Sequence, residues 1–488
     1  MIEIDGTNLS LVDIAAVASG AEEVRLAPEA RSRMEASRQA ARETARRRPV
    51  YGRSTGVGAN RSIVLPQNRT GGQASPHGLN LLRSHAADAG ATLGREVVRG
   101  MLVVRLSQLA AGAAGIDPAI AEALVHMLND DTIPEVREFG GIGTADLPAL
   151  AGTALTLLGE RRPMGGKQLR TRLSDWDTAD ALPFISSNAL TIARAALSHQ
   201  VLERLLHNAA TISAMSFTAL SGNPEAFSPA VAAAADTEAV SEAADTLRSL
   251  VEGHGTPARI QDPYCLRTLP QVLGSQSEEL SLLGKLLARL VVSGHENPMV
   301  HRSPADGTSD VSHHGLFQMT NLARRLDALE LALGSACATN LRRIDLLCDP
   351  VYTGLNRFLA ADDAGQSGVM MLEYVAAAAA SRIRANSHPS SLQTVVLSLG
   401  AEEDASFASE AAARLESTVQ ALPTILAVEL ICAVRALRLQ GHNAEDFKSL
   451  RLRRMMAAGS ELDSDTGDRD LRDDLDLGSE ITLRDFTG

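Results

Sequence analysis

The 488-residue sequence is poor in aromatic side chains and in cysteine. Aromatic residues make up 3% of the chain and apolar residues 45%, so alanine and leucine on packed helices must provide most of the buried surface. The four cysteines have neither the CxxC spacing of a metal site nor the density of a disulfide-rich domain, which predicts reduced and mostly buried thiols. The composition therefore favours a mainly α-helical protein over a β protein.

Two further absences concern membranes and nucleic acids. No uninterrupted apolar run reaches the roughly 18–20 residues that span a bilayer, and the first residues lack the basic and apolar segments of a signal peptide. The net charge of −13 repels phosphate backbones, and we interpret the basic cluster 46–48 as a solvated helix end. We expect a cytoplasmic protein that binds neither nucleic acid nor membrane.

Periodic apolar positions predict long helices separated by loops that contain glycine and proline. One helix begins near Pro28 and ends at the basic cluster, and a helix pair begins near Pro229 and Thr237. Further helices are predicted within residues 95–115, 147–160, 189–209, 280–293, 314–344 and 369–386. We divide the chain into an N-terminal region (1–200), a central and C-terminal helical region (201–460) and an acidic tail (461–488).

Several short motifs follow one another in a recognisable order. They are YGRSTGVG from Tyr51, NLLRSHAADAGA around His85, GGIGTADLPALAGTALTLLGE over 140–160, IQDPYCLRTLPQVLG over 260–274, HENP from His295, and NSHPSSLQ followed by AEEDASF. In this order they resemble the motifs of the histidine and phenylalanine ammonia-lyase family, with the histidine branch as the closest match. The resemblance runs from about Asp13 to Arg472.

The resemblance implies a fold, an assembly and a place for the active site. The fold would be mainly α, with a smaller mixed N-terminal region that carries active-site loops and a central bundle of long, near-parallel helices. The assembly would be a homotetramer in which several subunits complete each site. The substrate would be a small molecule that carries a carboxylate.

One motif departs from the family pattern. The family closes an Ala-Ser-Gly backbone into a methylidene-imidazolone electrophile, and the serine supplies the methylidene carbon. Here the sequence Gly143-Thr144-Ala145-Asp146 stands at that place, one residue is deleted, and no serine or cysteine lies between residues 140 and 160. We therefore predict a degenerate loop, a chain without this prosthetic group, and no other cofactor. Thr144 is interpreted as a turn residue.

The resemblance assigns catalytic and carboxylate-binding roles to four residues. Tyr51 matches the catalytic tyrosine of the family. A phenol, whose ordinary pKa is about 10, can move protons once that pKa is lowered. Tyr264 would assist it. Arg267 matches the carboxylate clamp, since a guanidinium binds carboxylates through two parallel hydrogen bonds, and Gln261 lies beside it. The alternative interpretation is structural: a packed loop tyrosine and a loop hydrogen-bond network.

Other matches concern the side chain of the substrate and the electrophile. His85 and Glu402 would select the side chain, although a helical histidine is more often structural. Ser186 aligns with an asparagine that supports the prosthetic group, with Asn188 as a possible substitute. Asn297 matches the D-N-P motif, and His313 aligns with the aromatic residue near the electrophile. A metal site is an alternative for the histidines 295, 301, 313 and 314, but HENPMVH is not the HExxH motif and Pro298 breaks the helix that such a site would need. We predict no metal.

Chemistry limits the function. General acid–base groups accelerate a reaction about 10²–10⁴-fold, which corresponds to roughly 3–5 kcal/mol of the activation barrier. Enzymes commonly lower a barrier by ~8–23 kcal/mol. Without an electrophile, we therefore expect a lyase-like enzyme whose substrate, a small amino acid or its derivative, brings its own activation for elimination, addition or cyclisation. The alternatives are a catalytically silent homologue that binds a ligand or a partner protein, and an ordinary ammonia-lyase that works by another route.

Overall fold

The computed structural model describes residues 1–65, 77–253, 255–303, 307–362 and 365–486. The chain is mainly helical, which confirms the predicted fold class. It divides into two compact units. The first consists of residues 1–200, 284–326 and 389–413, and the second consists of residues 201–283, 327–388 and 414–488.

The described residues of the first unit form helices and three small two-stranded sheets. Strands Ile2–Ile4 and Val24–Leu26 pair in parallel; Ala89–Thr92 pairs with Arg137–Phe139, and Met299–Arg302 with Ser309–Ser312, in antiparallel fashion. Its helices are Leu11–Ser19, Pro28–Arg47, His77–His85, Arg95–Ala110, Pro118–Asn129, Leu147–Leu157 and Thr178–Ile185.

Helices dominate the second unit. They are Pro229–Ala233, Glu238–Leu250, Tyr264–Arg267, Pro350–Thr353, Met370–Asn386, Leu450–Gly459 and Arg472–Leu483. Four long helices contribute residues to both units: Ala189–Ala219, Leu269–Leu290, Thr320–Cys348 and Ala408–Leu439.

Local signals place several helix starts where the sequence predicts them. Pro28 is the first residue of a helix that ends at Arg47, because a missing N–H costs least in the first turn. Thr237 caps the helix Glu238–Leu250, and its side chain accepts a hydrogen bond from the Val240 N–H, which satisfies a donor that the helix leaves unpaired. These starts are confirmed, as is the start at Pro229.

A small apolar cluster brings two distant segments of the first unit together. Ala40, Ala41 and Val50 pack against Val300 and Val311, and all five are buried. Burying a valine side chain contributes roughly 1.5–3 kcal/mol, so this cluster fixes the paired strands Met299–Arg302 and Ser309–Ser312, called the hairpin below, against the end of the helix Pro28–Arg47. It also holds the chain just before residue 51 close to the chain just before residue 313.

The cysteines and the most apolar long helix lie in the interior of the protein. All four cysteines are buried and free, as predicted. By length and composition one helix in the described chain, Ala408–Leu439, could cross a membrane, but 78% of its most apolar stretch is buried inside the protein. That burial is typical of a core helix.

Candidate functional site

Tyr51 is held at both of its ends in the first unit. Its backbone N–H donates to Nε2 of His313 over 3.1 Å, and its phenol oxygen accepts a hydrogen bond from the Gly58 N–H over 2.7 Å. The side chain is half-buried. The same segment also contacts the chain near residue 398, where Ser398 Oγ accepts a hydrogen bond from the Ala59 N–H over 3.0 Å. Position and orientation of the phenol are therefore fixed by the turn itself.

The electrostatic setting of Tyr51 differs from the sequence-based expectation of a lowered pKa. Burial is the main cause that raises the pKa of the phenol above 10, and the field of Glu402 raises it further, whereas the Gly58 hydrogen bond and Arg61 lower it. Burial in low dielectric disfavours the phenolate. Tyr51 of the free chain is therefore a neutral phenol at neutral pH.

His85 lies in the same electrostatic neighbourhood. Its Nδ1 is 2.9 Å from the carbonyl oxygen of Leu81, so Nδ1 carries the proton and Nε2 offers a lone pair in the neutral ring. Burial lowers the pKa of His85, and the field of Glu402 partly opposes that shift. The structure thus places His85 and Tyr51 within the influence of one half-buried carboxylate, Glu402.

The loop from Gly143 to Asp146 is tied down by its neighbours. The Gly143 carbonyl oxygen accepts hydrogen bonds from Asn188 Nδ2 and Ser406 Oγ, each over 3.2 Å. Gly143 has φ +90°, and a Cβ there would lie 2.3 Å from Ser406 Oγ, so only glycine fits. The loop offers no serine to dehydrate. The residues present therefore do not fit the family's electrophile.

Asp146 anchors the other end of this loop. Its two carboxylate oxygens accept from the N–H and the Oγ1 of Thr191, both over 2.9 Å. Burial raises the pKa of Asp146 to about 6 despite these bonds. Its own N–H donates to the Ser187 carbonyl over 2.7 Å, so the loop is fastened to the segment that follows Ile185.

That segment also connects the loop to the hairpin that carries His313. Asn188 contacts the loop, whereas Ser186 Oγ accepts a hydrogen bond from the Asn297 N–H over 3.1 Å. Asn297 Oδ1 in turn accepts from the His314 N–H over 3.0 Å. The structure therefore brings Asn188, the substitute considered above, to the loop and brings Ser186 to Asn297.

A fully buried ion pair supports both ends of this connection. Arg105 Nη1 lies 2.7 Å from Glu296 Oε1, and neither side chain is exposed. Arg105 also donates to the carbonyl oxygens of Pro183 and Phe184 over 2.6 and 3.0 Å. One guanidinium therefore contacts both the segment before Ser186, through two carbonyl oxygens, and the segment before Asn297, through the Glu296 carboxylate.

The remaining predicted residues lie in the second unit. The Arg267 guanidinium carbon is 4.2 Å from the centre of the Tyr264 ring, a cation–π distance. With its oxygen turned toward Arg267, the Gln261 amide accepts from both terminal guanidinium nitrogens over 2.6 and 3.3 Å. Tyr264 is 69% exposed. The trio forms one cluster with an accessible phenol.

Two of the histidines considered as metal ligands, His301 and His314, contact other groups. His301 Nε2 is 2.8 Å from Ser312 Oγ, and His314 Nε2 is 2.8 Å from the Glu296 carbonyl oxygen. Among the described residues, no group of three or more His, Cys, Asp or Glu side chains is arranged to hold a metal ion.

Sequence reasoning missed three contributors to this site. Ser406 holds the degenerate loop, and the Gly58 N–H contacts the phenol. Ser406 lies within the motif AEEDASF and Gly58 within the motif YGRSTGVG. Membership in these motifs is the sequence signal that could have identified both residues. Arg105 lies in a predicted helix as one of several arginines, and nothing in the sequence marks it as the buried partner of Glu296.

The family profile described as Aromatic amino acid lyase matches residues 9–461. This chain belongs to the aromatic amino acid lyase family. The histidine ammonia-lyase of Anaeromyxobacter dehalogenans is 32% identical over 466 residues, which cover 90% of each chain. A probable histidine ammonia-lyase of Thermoplasma volcanium is 29% identical over 454 residues, again 90% of each chain.

Solved structures of this aromatic amino acid lyase fold superpose over almost the whole chain. Histidine ammonia-lyase from Trypanosoma cruzi has a TM-score of 0.86 at 25% identity and covers 98% of this chain and 92% of its own. The ergothioneine-degrading enzyme ergothionase of Treponema denticola, in complex with desmethyl-ergothioneine sulfonic acid, has a TM-score of 0.88 at 23% identity, with 99% and 98% covered. Tyrosine aminomutase of Streptomyces globisporus has a TM-score of 0.89 at 23% identity, with 99% and 96% covered.

Proposed function

We propose that this family member is a lyase-type enzyme that acts on a small amino acid or its derivative without the methylidene-imidazolone group. The reaction would be an elimination, an addition or a cyclisation driven by acid–base groups, with no cofactor and no metal. The observation that carries the proposal is the fixed position of Tyr51, whose phenol oxygen accepts from the Gly58 N–H and whose backbone N–H donates to His313. The loop 143–146 of the same chain has no serine. We further propose a cytoplasmic homotetramer.

Each residue has a role in this proposal. Tyr51 moves the proton with assistance from Tyr264, while Arg267 and Gln261 bind the carboxylate. His85 and Glu402 select the side chain. The remaining residues shape the site: Ser186, Asn297 and His313 around the hairpin, and Gly143–Asp146 as the degenerate loop.

The charges around Tyr51 favour a substrate with a positive charge. Glu402 and burial keep the phenol protonated in the free chain, and a nearby cation would favour the phenolate instead. For elimination, Tyr51 as phenolate takes the Cβ proton, the C–H electron pair forms the Cα–Cβ double bond, and the Cα–N bond breaks with its pair on the amine. A quaternary ammonium leaves in this way as a neutral amine, without prior activation.

The silent-homologue alternative has one observation in its favour. The raised pKa of Tyr51 is also what a buried structural tyrosine would show. That alternative predicts binding of a ligand or a partner protein without conversion, and the same experiment separates the two functions.

The experiment is a thermal-shift screen followed by product analysis. The panel contains L-histidine, L-phenylalanine and L-tyrosine, ergothioneine as the compound degraded by the Treponema enzyme, other α-trimethylammonium acids, and unsaturated acids with an amine donor. Each compound that raises the melting temperature is incubated with the protein, and products are followed by mass spectrometry. We expect turnover of an activated compound and none of the three free amino acids. Binding without conversion would favour the silent homologue.

A further inference from the structure

The contact between His313 and Tyr51 joins residues that are 262 positions apart. The backbone N–H of Tyr51 is the donor, so Nε2 of His313 must be the acceptor over their 3.1 Å separation. An imidazole nitrogen accepts only when it carries no proton. The ring in this structure is therefore neutral, with its proton on Nδ1.

The next residue provides a contrast. His314 accepts the Leu316 N–H at Nδ1 over 3.1 Å and donates from Nε2 to the Glu296 carbonyl over 2.8 Å. The two ring nitrogens of His314 therefore hold its own segment and do not contact Tyr51. Protonation of His313 would place an N–H against the Tyr51 N–H, so two donors would face each other.

Two cationic or titratable neighbours act on His313. Arg48 follows the helix Pro28–Arg47 and donates to Asp310 over 2.9 Å, and His314 is the next residue in sequence. Burial, Arg48 and His314 all lower the pKa of His313. A histidine with a lowered pKa keeps its neutral form above that pKa and loses it as the pH falls through it. The window lies below the ordinary value of 6.5.

We propose that His313 is a positioning residue for Tyr51. The neutral imidazole of His313 holds the Tyr51 backbone in place, and protonation of this imidazole releases it. The link to catalysis rests on the proposed function, in which Tyr51 moves a proton. The hydrogen bond and its release are independent of it.

The test is hydrogen exchange at the Tyr51 amide, measured by mass spectrometry with single-residue fragmentation between pH 4.5 and 8 and corrected for intrinsic exchange. In the wild type we expect protection above the pKa of His313 and a loss of about tenfold below it, since one hydrogen bond is broken. His313→Gln supplies a carbonyl acceptor that does not titrate, so its protection should not depend on pH. His313→Phe keeps the ring and should lack the protection at every pH.

His301→Gln is the matched control, since it makes the same change at a histidine that contacts Ser312 and not Tyr51; its profile should follow the wild type. Equal protection in His313→Phe and wild type would overturn the proposal, as would wild-type protection that does not change with pH. If His313→Phe does not fold, the wild-type and His313→Gln profiles still decide. Failure to find any substrate would refute the proposed function and leave the exchange result standing.

Once a substrate is known, kcat should follow the same pattern. In the wild type it should fall on the acid side together with Tyr51 protection, and in His313→Gln this acid limb should disappear while KM changes little. An acid limb that persists in His313→Gln would contradict the positioning role.

Discussion

At the scale of single residues, Tyr51 combines a fixed position with an unfavourable resting charge state. Hydrogen bonds at the backbone N–H and at the phenol oxygen hold it, while burial and Glu402 keep it protonated. A substrate that carries a positive charge would offset the effect of the Glu402 carboxylate on the pKa of the phenol. Specificity and activation would then depend on the same electrostatic balance.

Tyr51→Phe removes only the hydroxyl that moves the proton. We expect a fall in kcat of about 10²–10⁴-fold, the usual contribution of a general acid or base, with ligand binding nearly unchanged because the ring is kept. Steady-state kinetics and thermal shifts with a compound from the substrate panel check this. Tyr374→Phe makes the same change at an exposed position of the helix Met370–Asn386 and should have no effect. Equal turnover by wild type and Tyr51→Phe would rule out the acid–base assignment.

Arg267→Met tests the carboxylate clamp. A charge-assisted, desolvated hydrogen-bonding pair contributes about 2–5 kcal/mol, so the dissociation constant should rise by at least tenfold. Calorimetric titration measures it. Arg342→Met is the control, because the Arg342–Asp345 pair is half exposed and such pairs contribute only ~0–1 kcal/mol. Unchanged affinity in Arg267→Met would place the carboxylate elsewhere.

At the scale of secondary-structure elements, local signals predict much of the fold. Pro28 and Thr237 mark helix starts because their effects act within one turn. Two long helices begin at residues that the periodicity does not indicate. Leu269 begins a helix predicted from 280, and Thr320 begins one predicted from 314. In the second case Met319 has φ +61°, and this left-handed residue excludes the preceding turn from the helix.

Contacts between distant segments could not be predicted in the same way. Motif similarity names Tyr51, His85 and Glu402 as site residues, and the field of Glu402 raises the pKa of Tyr51 and opposes the burial-driven lowering of the pKa of His85. The contact of Tyr51 with His313 and that of Arg105 with Glu296 join residues 262 and 191 positions apart. They depend on packing such as the Val50–Val311 cluster, which leaves no local pattern.

Glu296→Gln tests whether the buried pair supports the segments around the site. It leaves the Arg105 guanidinium buried without its counter-charge, which costs about 3–5 kcal/mol. We expect a clearly lower melting temperature at pH 7 in a thermal denaturation series. Asp345→Asn removes a charge from the half-exposed pair with Arg342 and should shift it little. Equal melting temperatures for the two variants would show that the pair does not stabilise these segments.

At the scale of the whole molecule, the assigned residues are divided between the two units. Tyr51, His85 and Glu402 lie in the first, and Gln261 and Arg267 lie in the second. In the proposed homotetramer, residues from different subunits would complete each site.

Mixed tetramers test that arrangement. At a substrate concentration well below the dissociation constant, Tyr51→Phe and Arg267→Met are each expected to turn over much less substrate than the wild type. A hybrid assembled from both would contain some sites with an intact tyrosine from one subunit and an intact arginine from another. Co-expression with two different affinity tags, followed by double purification, should recover part of the activity. Mixing the purified variants without exchange of subunits is the control. Inactive hybrids would contradict a shared site.

The central claim is that the protein works without a methylidene-imidazolone group, and the mass of the intact purified chain tests it most directly. The loop Gly143–Asp146 has no serine to dehydrate, so we predict the mass of the unmodified sequence. Peptide mapping of residues 138–161 should likewise show an unmodified fragment. A mass lower by two waters, localised to Gly143–Asp146, would contradict the account.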